Sequence, residues 1–325
     1  MFVALSAQQY SVVQAEPRRV LNVPQPSDST SSTGQGKVLL RARWGTAPGE
    51  FGTTREGSRP GPMDFAVVGE SLYVLDTVNA RIQVFGLDGT LKTIIPIATK
   101  TADFLCVGPD GNVAVLDAFC KRQLKEFSPA GELRRSMKVP ETLGLPSAVF
   151  MDGQRVWLEE RHDRVFEVSA AESRKDAPAR VVNVLPGRPV LSRRGTLHAA
   201  KSGERDVVIR VSAANKAEEE LAVRFPSRLV SVVTLEADGS DHVCIAGVCE
   251  SREGTGKAGA KIVATSVTPS GTVAGAVAMP DAYVTDHYRK LWLLKSGELV
   301  QMQTSHEEVQ FVLWTLQPAE GEVLK

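Results

Sequence analysis

The stretch YVLDTVNARIQVFGLDG, residues 73–89, places a carboxylate, an amide and a guanidinium close together between two apolar alternating runs. Asp76, Asn79 and Arg81 could orient a substrate or a water. They could equally fasten two strands. A carboxylate–guanidinium pair makes paired, charge-assisted hydrogen bonds, and Asn tolerates a left-handed turn. Weaker echoes follow at Asp117 and Arg122, with Cys120 where Asn would stand, and at Glu159 and Arg164. Packing devices recur from unit to unit and catalytic sets do not, so these residues are expected to be structural clasps.

A second group could do ligand chemistry. Asp64, Asp103 and Asp281 stand at matching places, before or at the start of successive short apolar strands. Carboxylates converging on one opening could coordinate calcium, which takes several oxygen ligands. They could equally remain separate, solvated loop acids. Arg188 and Arg228 hold similar positions in other units. A mouth of mixed charge would suit a peptide or a glycan. The five histidines, at 162, 198, 242, 287 and 306, show no metal-ligand spacing. SREGTGKAG, residues 251–259, lacks the first Gly and the final Ser or Thr of a phosphate loop and reads as a hairpin extension. No GxSxG elbow or HExxH motif is present. Cys244 and Cys249 flank IAGV and could face each other across a hairpin, while Cys106 and Cys120 fall in one unit. Sequence does not choose among the three pairings of four thiols, nor between disulfides and buried thiols.

The elements that must position these groups repeat. Units begin at Pro62, Thr101, Pro146, Arg188, Arg228 and Asp281. Each runs as a short apolar strand, a turn, a second strand, a polar knot and a third strand. A Gly turn and a more polar fourth strand follow in most. Spacings of roughly 40 to 45 residues over the first five starts, with a longer last step, match four-stranded propeller blades. The fold expected is all-β, a six-bladed β-propeller of four-stranded antiparallel blades. KVLLRARWG, residues 37–45, is expected to supply the outer strand of the last blade. VQFVLWTL, residues 309–316, is the competing candidate for that place. AANKAEEELA, residues 213–222, is the best helical stretch and is expected to form a loop within the fourth unit.

WGTAPGEFG followed by YVLDTVNARIQVFGLDG resembles the NHL repeat, whose blades share a W-G, G-x-F, Y-V-x-D-x-x-N-x-R-I-Q-x-F, D-G pattern. The match is close over one blade and fades afterwards. Lys201, Gly247 and Lys295 occupy the Asp position in the last three units. The resemblance implies a propeller and transfers little about activity. NHL-type amidating lyases hold a metal with histidines, an arrangement this chain's histidine spacing does not reproduce.

Lys plus Arg and Asp plus Glu each total 38 in 325 residues. A net charge of zero argues against a nucleic-acid binder. No apolar run approaches the ~20 residues of a membrane span. MFVALSA at the start has the character of a signal-peptide end or of a frayed apolar terminus. PQPSDSTSSTGQGK, residues 24–37, fits a disordered linker and favours an extracytoplasmic location, periplasmic or secreted. The expected organisation is a signal remnant and linker over 1–36, a propeller over 37–318 and a tail over 319–325. The expected function is non-catalytic binding of a protein, peptide or glycan at the loop face by a monomer, with no obligatory cofactor. The rival is a propeller hydrolase or lyase with a divalent metal at the channel mouth, built on Asp64 and Asp103 with His287 or Asp281. A third reading is a structural component of an envelope assembly.

Overall fold

The computed structural model describes residues 20–24, 36–54, 60–153, 155–170, 177–190, 195–212, 218–252 and 258–318. Among them every regular element is a strand, and no helix is long and apolar enough to cross a membrane. Two strands precede the repeats, β1 (Val20–Asn22) and β2 (Lys37–Arg43). The first antiparallel meander is β3 (Asp64–Val68), β4 (Ser71–Asp76), β5 (Arg81–Gly86) and β6 (Leu91–Pro96). The second is β7 (Phe104–Val107), β8 (Val113–Asp117), β9 (Gln123–Phe127) and β10 (Leu133–Lys138). The third is β11 (Pro146–Asp152), β12 (Arg155–Glu160), β13 (Arg164–Ala170) and β14 (Ala177–Leu185).

The fourth is β15 (Arg188–Val190), β16 (Gly195–Lys201), β17 (Asp206–Ser212) and β18 (Glu219–Arg224), so part of the stretch expected to loop is an outer strand. The fifth is β19 (Leu229–Ala237), β20 (Val243–Arg252), β21 (Ala258–Val267) and β22 (Val273–Pro280). The last contributes β23 (Leu291–Leu293), β24 (Leu299–Thr304) and β25 (Glu308–Trp314), and β26 (Gln317–Pro318) ends the described chain. Period-two burial marks the start of β4, where Leu72 and Val74 are fully buried and Ser71 and Tyr73 are not, whereas β7 and β8 are buried throughout. Asp-Gly turns join them. At the β5–β6 hairpin Gly89 adopts φ 82°, and the Asp88 carboxylate accepts the Thr90 N–H at 3.0 Å.

β2 is the outer strand of the last sheet, antiparallel to β25 with Ala42 opposite Val309. The stretch 309–316, the other candidate for closure, supplies the third strand instead. Phe51, Phe65, Phe85 and Phe311 bury the junction, with Phe65 and Phe311 edge to face at 5.2 Å. Residues from both ends of the chain thus share one core.

The outer edges are not all bare. β14 begins by pairing in parallel with β10, Met137 opposite Ala177, which merges the second and third meanders into one eight-stranded sheet. β26 pairs with β22. β1 pairs in parallel with β18, Val20 opposite Ala222, which puts a strand inside the segment 1–36 where none was expected.

β3, β7 and β11 pack in succession, as do β15, β19 and β23, and β23 returns to β3. Apolar clusters fill the spaces between successive meanders from the fourth round to the third. Among the described residues none spans the third and fourth. That seam is a groove of about 460 Å³ lined by Asp163, Arg164, Val184, His198, Arg210 and Glu218, among others.

Candidate functional site

The polar knot at Asp76, Asn79 and Arg81 is a latch. Asp76, fully buried at the end of β4, accepts from Arg81 Nε at 2.7 Å, Asn79 Nδ2 at 2.9 Å and the Gly52 N–H at 2.9 Å. Arg81 spends its remaining donors on the carbonyls of Thr46, Ala47 and Glu50, at 2.9, 2.9 and 2.6 Å. Asn79 Nδ2 also reaches Gly45 O, and Gln83 binds Glu50 O and the Gly49 N–H. The gripped segment, 45–52, carries the chain from the closing strand β2 to the first meander. Gly52 is required by close approach: a Cβ there would lie 2.7 Å from Val78 and 2.9 Å from Asn79. The two halves of the NHL-like pattern are therefore one device, and Gln83 belongs to it.

Loop length decides what becomes of the echoes. Asp76 and Arg81 are direct cross-strand partners. In the second meander Asp117 faces Gln123, and Arg122 falls inside the loop at φ 48°. The pairing expected between Asp117 and Arg122 is thus replaced. Asp117 accepts from Thr101 Oγ1 and the N–H groups of Cys120 and Lys121. Arg122 donates to the carbonyls of Pro140, Leu143 and Gly144. In the third meander Arg164 faces Glu160, not Glu159. Glu160 accepts from Arg164 at 2.8 Å and from the Gly144 N–H. It repeats the role of Asp76 one residue later than expected.

Glu159, freed from that role, crosses the seam. Arg188 holds both its oxygens, at 2.6 and 3.2 Å, and also donates to Leu235 O in the fifth meander. Ser147 Oγ and His162 Nδ1 complete the carboxylate's shell at 2.9 and 2.8 Å. Burial alone would raise the Glu159 pKa. His162 and Arg188 outweigh it and hold the carboxyl at about 2. A depressed carboxyl contributes stability above its unfolded pKa and loses it as pH falls through the folded value. Glu159→Gln should therefore cost ~3 kcal/mol at pH 7, with the difference from the unchanged protein shrinking from about pH 4.5 down to about 2. Urea melts across that range check it, and a pH-independent difference would refute the assignment.

The carboxylates expected at the channel mouth are not brought together. Asp64 lies deep, accepting from Arg289 Nε at 2.7 Å and from the N–H groups of Phe65 and Leu105 at 2.7 and 2.8 Å. Arg289 also binds Glu236 of β19 at 3.2 Å and lies over the Trp292 ring at 4.8 Å. Burial pushes Asp64 up, against Arg289 and the two N–H groups. Burial also opposes the Arg289 charge, yet Asp64 and Glu236 hold that guanidinium above its ordinary value. Asp281 pairs with Lys290 at 2.6 Å. Asp103 accepts the Ala118 N–H at 2.8 Å; burial is the main cause that raises its carboxyl to about 6. Among the described residues no group of three His, Cys, Asp or Glu side chains is placed to share a metal ion. Arg188 is committed to Glu159, and Arg228 to an exposed ion pair with Glu250 at 2.6 Å.

The remaining reactive groups are dispersed. His287 Nδ1 donates to Thr285 O at 2.9 Å, and burial is the chief cause that lowers its pKa to about 4, so it is neutral. Cys244 and Cys249 sit on the single strand β20, on opposite faces, so no hairpin lies between them. Five residues of strand separate them by ~16 Å, beyond disulfide reach. All four thiols are free, and Cys120 is the exposed one. In the seam groove Arg210 pairs with Glu218 at 3.5 Å and with neighbouring Glu220 at 2.7 Å, and His198 Nε2 lies 3.4 Å from Asp163.

What sequence reasoning missed on the loop face is aromatic. Phe119, in the β8–β9 loop, and Tyr288, before β23, are each 46% exposed and stack at 5.7 Å with 27° between their planes. Buried Phe104 supports them, 4.6 Å from Tyr288. Their separation in sequence, with no shared periodicity, left no signal for pairing them.

Successive four-stranded meanders, first strands packed in order from β15 through β23 and β3 to β11, and an N-terminal strand completing the last sheet define a β-propeller. No protein-family profile matches the chain. No curated protein matches it either. Solved structures similar to it include the WD40 repeats of RRP9, at 11% identity and TM-score 0.48 over 80% of this chain and 96% of that one. A DUF4221 member from Bacteroides vulgatus gives 9% identity and TM-score 0.48 over 89% and 95%. Hydrazine synthase from Kuenenia stuttgartiensis gives 10% and 0.47 over 76% and 74%.

Proposed function

We propose that the chain is a non-catalytic, six-bladed, NHL-like β-propeller, spanning residues 37–318, that binds a partner at its loop face. Counting the eight-stranded sheet as two blades supports the number six. The NHL relationship rests on residues 44–52 and 73–89, which build the latch, side chains of the second stretch gripping backbone groups of the first. One observation carries the binding function. The face bearing the β8–β9 loop exposes the Phe119–Tyr288 stack, whereas Asp64, Asp103 and Asp281 are each engaged separately. Large rings half open to water favour recognition, because aromatic side chains bury much area at low entropic cost. The zero net charge supports a partner other than nucleic acid, and the Pro/Ser/Thr-rich stretch 24–37 supports an extracytoplasmic location.

Peptide and glycan arrays probed with the unchanged protein and with Phe119→Ala test the reading, alongside metal analysis of the purified protein. Expected are array ligands whose binding falls in the variant, without turnover. Array binding indifferent to Phe119 would overturn the location. Stoichiometric metal, with a large loss of melting temperature in chelator, would overturn the non-catalytic reading in favour of a propeller hydrolase or lyase.

A further inference from the structure

The Phe119–Tyr288 stack has a distinctive electrical setting. The charged and ionisable groups acting most strongly on the Tyr288 hydroxyl are Asp103, Asp286 and the Cys120 thiol, all acids. Of the basic residues nearest the two rings in sequence, Lys121 is exposed on the loop that carries Phe119, and the others are engaged elsewhere. Arg289 is directed to Asp64 and Glu236, Lys290 to Asp281, and Arg122 to the carbonyls of the 140–144 loop. Asp103 is fixed by the Ala118 N–H, and Tyr288 by its own N–H to Met63 O at 2.7 Å. Phe104 fills the space behind both rings. The result is a supported platform: two half-exposed π faces beside two carboxylates.

We propose that this platform receives a basic side chain of a protein partner, an arginine in an extended segment, its guanidinium stacked on Phe119 and Tyr288 and paired with exposed Asp286, while the buried Asp103 carboxylate adds negative charge beside the rings. This rests on the reading of the loop face as a binding surface and names the chemistry of its partner. Ring faces carry negative charge density and attract cations, and the flanking carboxylates are complementary to the same charge. Arginine fits better than lysine because its planar, weakly hydrated guanidinium stacks on rings and offers several donors in a fork. A neutral sugar could stack on the rings but would not answer the acid charge, and an acidic segment would be repelled by it.

The test uses the full chain and the probe acetyl-Gly-Arg-Gly-Arg-Gly-amide, with its Lys and Glu counterparts and cellotriose for comparison. Binding is read by calorimetry. It is also read by slowed alkylation of Cys120, the exposed thiol on the same loop as Phe119. Expected is an affinity order of Arg above Lys, with the Glu peptide and the sugar not bound. Loss of ring or carboxylate, in Phe119→Ala or Asp286→Asn, should weaken the Arg peptide by ~3- to 10-fold each. Both positions are exposed and their variants should fold normally. Tyr288→Phe should retain most binding, because the ring is kept. If the sugar or the Glu peptide binds in a Phe119-dependent way, the loop face is a binding surface and the cation assignment is wrong. If the Arg peptide binds equally to Phe119→Ala, the assignment is wrong as well. If none of the probes binds, the arginine assignment fails, and the array experiment decides the loop face by itself.

Discussion

Arg289→Ala should lower the unfolding free energy by ~3–5 kcal/mol, the largest effect expected of any single substitution in this chain. Its guanidinium stands between Asp64, which is 1% exposed, and Glu236. Asp64 begins the innermost strand of the first meander, and Glu236 lies on the innermost strand of the fifth. One cation therefore ties the first, fifth and last parts of the ring across its interior. Removing it leaves a buried carboxylate facing only two N–H groups, and truncation also withdraws the guanidinium from the Trp292 ring. Replacing both ends of the shorter contact, with Asp64→Asn in an Arg289→Met background, should recover part of the loss, because no unpaired charge then remains buried. Urea unfolding of the two variants measures it. A loss below ~1 kcal/mol for Arg289→Ala would mean that the triad is open to water and stabilises little.

The second large effect is expected at the latch. Asp76→Ala should cost ~3 kcal/mol or more, since it strands Arg81 and leaves the donors of Gly52, Asn79 and Gln83 without their common acceptor. Its consequence should be local as well as global. The segment 45–52 is held chiefly by this network and joins the closing strand to the first meander, so protease cleavage within it should accelerate in the variant. Arg81→Lys should cost ~1–2 kcal/mol, because an ammonium cannot serve Asp76 and three carbonyls spread around a planar fork. Asp117→Ala is the control. Asp117 binds only within its own loop and to Thr101, so its loss should be smaller and should leave cleavage at 45–52 unchanged. Equal losses for Asp76 and Asp117 would remove the latch from its place in ring closure.

These two networks also show where sequence reasoning succeeds and where it stops. The knot was legible as a clasp because Asp76, Asn79 and Arg81 lie near one another along the chain. What they clasp was not, because the carbonyls of Thr46, Ala47 and Glu50 carry no side-chain identity in the sequence. The echo at Asp117 ends its strand but has other partners than expected, and the echo expected at Glu159 falls one residue later, at Glu160. A strand connection longer or shorter by one residue changes which side chains are cross-strand partners, and composition does not reveal that count. Arg289 gave no signal at all. A single Arg following Tyr288 resembles any surface residue until the ring brings Asp64 and Glu236 to either side of it.

Local information along the chain determined the strands, their turns and their repetition, since alternation of apolar residues and Asp-Gly or Gly turns act over a few neighbouring positions. It also pointed to a clasp at Asp76, Asn79 and Arg81, because these residues lie close together along the chain. Only the tertiary structure decided that β2 rather than Val309–Leu316 is the outermost strand, that Glu159 reaches across the seam to Arg188, and that Asp64, Asp103 and Asp281 stay apart. It alone brought Phe119 and Tyr288 together, 169 positions apart by their numbering, onto one exposed surface. The physical reason is the same in each case. Burial, charge pairing and ring stacking depend on distances through space, and in a closed ring the residues that meet are set by how the sheets pack around it.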